Sequence, residues 1–184
     1  HLRLVNPQRH PITLGADACT DSAHKTLPCL TPAALLHLRD AALQDAARSA
    51  LNLYSSTSPS YLVLQTLDYT AGLLLANAID FDEAAAKLAK AAQGFEHLIQ
   101  PGEDPLKLCL VPEKGGWPYA DVLAALRKAG IEPEMADGIH IVLMASPYNV
   151  DEDFARLRSA LAPFAEQRPP LAPAQGGFVL PQVA

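Results

Sequence analysis

Three stretches with helical spacing of apolar residues follow one another over residues 43–98, and they constrain the fold more than any other feature of this sequence. In the first and the third stretch, apolar side chains recur every three or four positions, which predicts amphipathic helices that bury one face. The middle stretch, Ser60–Asn77, is apolar on all sides. We therefore predict a helix buried between layers or at a contact between subunits. Asp80 and Glu83 resemble a capping box at the start of the third helix.

Short apolar runs predict two strands ahead of these helices. Ala16–Asp21 and Ala33–Leu38 have the length of buried strands, and we expect them to pair with one another. After the helices, the segment Gln100–Pro105 combines proline, glycine and acidic residues. Such a segment interrupts regular structure, so it predicts a domain boundary.

Strand and helix patterns alternate beyond that boundary. Leu106–Val111 and Ile139–Met144 predict strands, and the helical patterns over residues 118–129 and 150–164 follow them in turn. From Glu166 the chain is rich in proline and glycine, which predicts an extended or disordered tail. We therefore expect an α/β chain with two domains, residues 1–100 and residues 101–184, the second a small α+β domain with this tail.

Composition excludes several classes of function. The net charge of −6 argues against a nucleic-acid-binding surface, and the longest apolar stretches are too short to span a bilayer. The three cysteines form no C-x-x-C pair, so we expect neither a zinc knuckle nor a disulfide framework, and reduced thiols favour a cytoplasmic protein. His10, His37 and His97 show no ligand spacing to a cysteine or carboxylate, and we predict no metal site.

The segment Ser22–Leu27 carries the most distinctive chemistry. It sets Lys25 beside His24 and hydroxyl groups, directly after a predicted strand. A lysine amine there can form a Schiff base with an aldehyde cofactor, while the hydroxyls and the imidazole hold its phosphate. The same pattern also fits an ordinary solvated lysine, and the segment by itself leaves both interpretations open.

Longer motifs relate the chain to a known family. The motifs are Gly15–Ala18 with Asp21–Pro28, Ser56–Tyr61, Leu67–Tyr69 and Gly130–Asp137. In this order and combination, residues 1–164 closely resemble the bacterial ornithine/lysine/arginine decarboxylases. These are fold-type-I enzymes dependent on pyridoxal 5′-phosphate.

The resemblance implies a function and a set of site residues. It implies decarboxylation of ornithine, lysine or arginine to the amine and CO2, by a homodimer or higher homo-oligomer, with residues 1–100 as the last part of the cofactor domain. Lys25 would carry the cofactor, Ser22 would contact its phosphate, and His24 would lie near it. Ser56, or Thr57 in second place, would reach the phosphate of the neighbouring subunit. Helix capping is the simpler interpretation of the hydroxyls around Ser56.

One departure from the family limits this expectation. The family carries an aspartate that pairs with the pyridine nitrogen in an Asp-x-Ala-His-Gly-x-His stretch, and this chain begins at the last histidine, His1. We therefore expect a truncated chain that is inactive alone. Two alternatives stay open: an aminotransferase on the same scaffold, for which Arg127, Arg156 or Arg158 would have to bind the substrate carboxylate, and a non-catalytic fragment or interaction module.

Overall fold

The computed structural model describes residues 2–171, which form two compact units. The first unit contains the residues up to Ala86 together with Glu103–Leu106 and Ala145–Asn149. The second contains Lys87–Gly102, Lys107–Met144 and the described residues from Val150 onward. The domain boundary at residue 100 stays a prediction.

The first unit opens with a short helix and a strand pair. Helix α1 spans Leu2–Val5, and strands β1 (Ala18–Ser22) and β2 (Ala34–Leu38) follow it. The strands are antiparallel, with Ala18 opposite Leu38 and Ser22 opposite Ala34. The predicted pairing of these two segments is confirmed.

Three helices complete the first unit, and their prediction from apolar spacing is confirmed. Helix α2 spans Gln44–Tyr54 and α3 spans Tyr61–Leu75, while α4 (Phe81–Ala92) extends from this unit into the second. The N-terminus of α4 is capped by Asp80, whose Oδ1 accepts the amide N–H of Glu83 at 2.8 Å. That hydrogen bond is one half of the predicted capping box.

The core of the first unit lies between the lysine segment and α4. Its buried members are small or aliphatic side chains and one aromatic ring: Ala23, Leu27, Ala33, Phe81, Ala84 and Leu106. Helix α3 contributes only partly buried side chains to this cluster. Burial of this helix between layers, one of the two predicted environments, is therefore wrong for this chain, since Leu75 is 87% exposed and Tyr61 is 85% exposed. The predicted subunit contact stays a prediction.

The second unit is a four-stranded antiparallel sheet with helices. Its strands are β3 (Ile99–Gln100), β4 (Lys107–Leu110), β5 (Met135–Ala136) and β6 (Ile141–Met144), in the order β3-β4-β6-β5. Helix α5 (Tyr119–Lys128) lies between β4 and β5 in sequence, and α6 (Asp151–Leu161) follows β6. The predicted order of strands and helices is confirmed, and the two short edge strands β3 and β5 are additions to it. Fully buried side chains from both strands and helices form the core: Leu98, Leu110, Val122, Leu126, Ile141 and Leu161.

The predicted extended tail is described only as far as Leu171. The amide of Arg168 donates to the carbonyl of Gly115, and the amide of Leu171 donates to that of Glu113, both at 3.0 Å. Residues 172–184, the rest of that prediction, lie outside the described part of the chain. Within residues 2–171, no helix combines the length and the apolar character needed to cross a membrane.

Candidate active site

A tight turn after β1 holds the predicted cofactor lysine. Residues Ala23–Lys25 form one 3₁₀ turn, and the amide of Ala23 donates to the carbonyl of Ala33 at 2.9 Å. The amide of Leu27 returns to the carbonyl of Ala23, also at 2.9 Å. These bonds tie the lysine turn to the start of β2 on one side and to the core on the other.

Burial around the turn separates two faces. Ala23, Thr26 and Leu27 are buried, and Ala23 and Leu27 belong to the core cluster. Ser22 and Lys25 are exposed. Packing of the three buried residues therefore fixes the backbone, while the hydroxyl of Ser22 and the amine of Lys25 stay accessible to a ligand from solvent.

The ring of His24 is fixed through one nitrogen. Its Nδ1 lies 2.7 Å from the carbonyl oxygen of Ala33 and 3.1 Å from the amide nitrogen of the same residue. A single nitrogen serves one of these groups at a time, since it is either protonated or an acceptor. In either case Ala33 holds the ring orientation, and Nε2 is the ring nitrogen available to a ligand.

Ser56 lies in the exposed segment between α2 and α3. Its Oγ accepts the amide N–H of Ser58 at 3.1 Å, which closes a local turn. The residue preceding α3 is Ser60, whose side chain makes no capping bond. The described hydrogen bonds therefore do not assign Ser56 to the capping of α3, the simpler interpretation of its sequence, and the residue is not hydrogen-bonded to the lysine turn.

The opposite face of β1 carries a cluster that the sequence did not predict. Asp21 Oδ2 lies 3.1 Å from His10 Nε2 and 3.0 Å from His37 Nε2. Cys19 Sγ lies 3.8 Å from the same His10 nitrogen. Residues 19 and 21 share one face of β1 because side chains alternate along a strand, and Cys19 is directly opposite His37 in the register.

Burial and neighbouring charges shift the pKa values of Asp21 and Cys19. Partial burial raises the pKa of Asp21, but the hydrogen bond from His10 and the charges of His37 and His10 outweigh it, so the net pKa is below its usual range. Burial and the nearby Asp21 charge raise the pKa of the Cys19 thiol. The spacing of these residues along the sequence could not reveal the cluster, because the cluster depends on the strand register. The available signal was the position of His37 in the second strand of the predicted pair.

The donor set of the lysine turn fits pyridoxal phosphate. The cofactor needs an amine for its aldehyde and hydrogen-bond donors for its phosphate. Lys25 supplies the amine, and Ser22 supplies a hydroxyl donor; both residues are exposed. The imidazole of His24 adds a second polar group whose orientation is already fixed.

Comparison with known proteins shows what the segment containing the lysine turn is similar to. Residues 12–98 match the family model of the Orn/Lys/Arg decarboxylase major domain. The chain is 29% identical over 170 residues to an arginine decarboxylase of Bacillus subtilis, covering 83% of this chain and 35% of that protein. An arginine decarboxylase of Bacillus cereus is 26% identical over 152 residues, covering 80% of this chain and 32% of that protein. The chain thus spans about a third of the length of these curated relatives.

Solved structures support the fold. The crystal structure of the Francisella novicida lysine decarboxylase superposes with a TM-score of 0.64 at 18% identity, covering 79% of this chain and 27% of that one. The constitutive lysine decarboxylase of Escherichia coli gives a TM-score of 0.60 at 17% identity, covering 89% and 32%. The α/β fold predicted from the sequence is confirmed. Over residues 12–98 this chain is similar to the major domain of the Orn/Lys/Arg decarboxylases, and these relatives and the shared fold agree with that similarity.

Proposed function

We propose that the protein carrying this chain is a pyridoxal-phosphate-dependent decarboxylase of a basic amino acid, ornithine, lysine or arginine, with Lys25 as the cofactor lysine. The observation that carries this proposal is the turn Ala23–Lys25, which lies inside the segment matched by the decarboxylase major domain. Within this turn the lysine is exposed beside a positioned histidine. Since the chain spans about a third of its curated relatives, the activity is proposed for the whole protein.

Each residue of the turn has a defined task in this proposal. Lys25 Nζ would be the amine that holds the cofactor through its aldehyde, and its nitrogen could also hold a proton for transfer. The hydroxyl of Ser22 donates a hydrogen bond to a phosphate oxygen, and His24 presents its Nε2 edge beside it. The bound cofactor supplies the electron sink for loss of CO2. The chain's own contribution is orientation, because the packed face of the turn keeps these three groups in a fixed relation.

Ser56 is proposed to act across a subunit contact. Leu53, Tyr54 and Tyr61, which flank it in sequence, are 73%, 83% and 85% exposed. Large apolar side chains in this density favour a protein interface over a free surface. A homodimer or higher homo-oligomer that covers them would bring the hydroxyl of Ser56 to the phosphate held by Ser22 of another copy.

The aminotransferase alternative is disfavoured because the arginines considered for it already have partners within the chain. Arg127 pairs with Glu132 at 2.8 Å, and Arg156 pairs with Asp153 at 3.6 Å. Arg158 donates to backbone carbonyls, the shortest of these bonds being 2.8 Å. All three arginines considered from the sequence thus have partners within the chain, which supports the decarboxylase over a reaction that needs an arginine for the substrate carboxylate.

Chemical trapping of the cofactor tests the proposal. We would load the whole protein with pyridoxal phosphate, reduce it with borohydride and identify the labelled peptide by mass spectrometry. We expect the label on Lys25, its loss in Lys25→Ala, and its retention in Lys128→Ala, because Lys128 is another exposed lysine placed at the end of α5.

A second measurement separates decarboxylation from other cofactor chemistry. CO2 release from ornithine, lysine and arginine would be measured for the whole protein and for Lys25→Ala. We expect release from at least one substrate and its loss, by several orders of magnitude, in the variant. Labelling that persists without Lys25, or a loaded protein that releases no CO2 from any of the three, would contradict the proposal.

A further inference from the structure

The histidine–aspartate cluster at β1 has the composition of a metal site. It consists of His10, Asp21 and His37, whose ligand atoms all lie within 4.8 Å of one another; we call these three residues the β1 cluster. Cys19 Sγ lies 3.8 Å from His10 Nε2 but is not within 4.8 Å of all three ligand atoms. One ligand comes from β1, one from β2 and one from the loop that precedes β1. A bound ion would therefore join three separate segments.

Two ligand separations in the β1 cluster are close to those of a tetrahedral centre. Nitrogen and oxygen ligands bound to zinc at about 2.0–2.2 Å lie about 3.3–3.6 Å apart in a tetrahedron. The separations from Asp21 Oδ2 to His10 Nε2 and to His37 Nε2 are 3.1 and 3.0 Å. These two pairs would have to move apart by a few tenths of an ångström to coordinate one ion.

Burial and ligand chemistry select the kind of ion. The side chain of His10 is fully buried, while those of Asp21 and His37 are 28% and 22% exposed. An ion can thus reach the cluster past the aspartate and His37, and once bound it would be largely closed off from water. Two imidazoles and one carboxylate suit zinc better than calcium or magnesium, which prefer oxygen ligands.

The protonation of the two His10 ring nitrogens is compatible with coordination of an ion by this residue. The amide N–H of Ile12 points at His10 Nδ1 at 3.3 Å, so in the ion-free chain the ring proton belongs on Nε2, facing Asp21. An ion at Nε2 displaces that proton, and the neutral ring then carries a proton on Nδ1. The long bond from Ile12 is lost in this exchange, and it is weak beside a metal–ligand bond.

We propose that the β1 cluster binds one zinc ion through His10, Asp21 and His37. A water molecule would fill the fourth position of a tetrahedral ion. Binding of the ion would clamp β1 against β2 and the preceding loop, and thus fix the strand that ends at Ser22. Nothing in the proposed decarboxylase chemistry requires this ion, and the site adds to that function.

The test uses the full 184-residue chain and zinc itself. After dialysis against a chelator, zinc would be titrated in competition with a chromophoric chelator, and bound metal would be counted by mass spectrometry. We expect one zinc per chain in the wild type. Affinity should fall at least ~10-fold in Asp21→Asn and in His37→Gln, as it does when even indirect supports of a metal site are removed.

The chain offers a matched control pair. Asp137 and His140 also form an aspartate–histidine contact at 3.0 Å, but on an exposed turn of the second unit and outside any described cluster of three ligands. Asp137→Asn and His140→Gln should leave zinc affinity unchanged.

Three outcomes would overturn the proposal. These are a wild type that binds no zinc at stoichiometric concentration, equal affinity in the wild type and both cluster variants, and an equal loss of affinity in the control pair. The first would leave the cluster a hydrogen-bonded histidine–aspartate–histidine triad. If Asp21→Asn fails to fold by circular dichroism, His37→Gln, which alters a partly exposed ligand, decides the result.

Discussion

The hydroxyl of Thr70 should hold the segment that follows the lysine turn. Thr70 is 2% exposed on α3, and its Oγ1 lies 3.0 Å from the carbonyl oxygen of Pro28 and 2.7 Å from that of Thr66. The Thr66 carbonyl belongs to the helix and has an amide partner four residues on. The Pro28 carbonyl lies three residues beyond Lys25, and its described partner is this hydroxyl.

Thr70→Val should therefore destabilise the chain by about 1–3 kcal/mol, the cost of leaving a part-buried acceptor unpaired, because valine keeps the shape but not the donor. Thr70→Ser keeps the donor and removes one methyl group, which costs about 0.8 kcal/mol. The valine variant should thus be the less stable of the two, against the usual preference for apolar groups in a buried position.

Urea unfolding followed by circular dichroism measures the difference. Thr57→Val, an exposed threonine in the segment between α2 and α3, is the matched control and should lie within about 0.5 kcal/mol of the wild type. A Thr70→Val midpoint equal to that of the wild type, or above that of Thr70→Ser, would refute the role given to this hydrogen bond.

Two further predictions concern the second unit. Hydrogen bonds from the backbone amides of His140 and Ile139 lower the pKa of Asp137 from 3.8 to about 2. Its contribution to the free energy of unfolding is therefore complete above pH 3.8 and is lost as pH falls towards 2. In acid unfolding, Asp137→Asn should lose less stability than the wild type over this range, and an identical pH dependence in both proteins would contradict the prediction. Gly116→Ala should destabilise the chain by at least ~1–2 kcal/mol, because φ is +81° and the new Cβ would lie 2.5 Å from the Cβ of Arg168. The control is Gly102→Ala, where nothing lies within 4 Å of the added carbon, and thermal melting should show no comparable loss of stability for it.

The helices of this chain could be predicted because their signals are local. Apolar spacing located α2, α3 and α4 to within a few residues, and the Asp80 cap marked the start of α4. The environment of α3 was harder to predict. An apolar helix is buried against something, but the sequence does not say whether the covering surface belongs to the same chain.

The candidate site divides in the same way. Ser22, His24 and Lys25 are close in sequence, so any turn would keep them near one another, and the family motif supplied their roles. Ser56 is different, because its proposed partner is another copy of the chain and its described hydrogen bond is only local. Its role therefore stays a prediction that neither the sequence nor a single chain can test.

The sequence by itself determined the helices, the strand segments and the lysine turn, since each depends on residues a few positions apart. Only the tertiary structure decided which groups meet across β1 and β2. Cys19 and Asp21 share a face by strand alternation, but His37 joins them through the register, and the buried side chain of His10 joins them from the segment before β1. Contacts of this kind depend on how separate segments pack, and a register shifted by one residue would turn His37 to the opposite face.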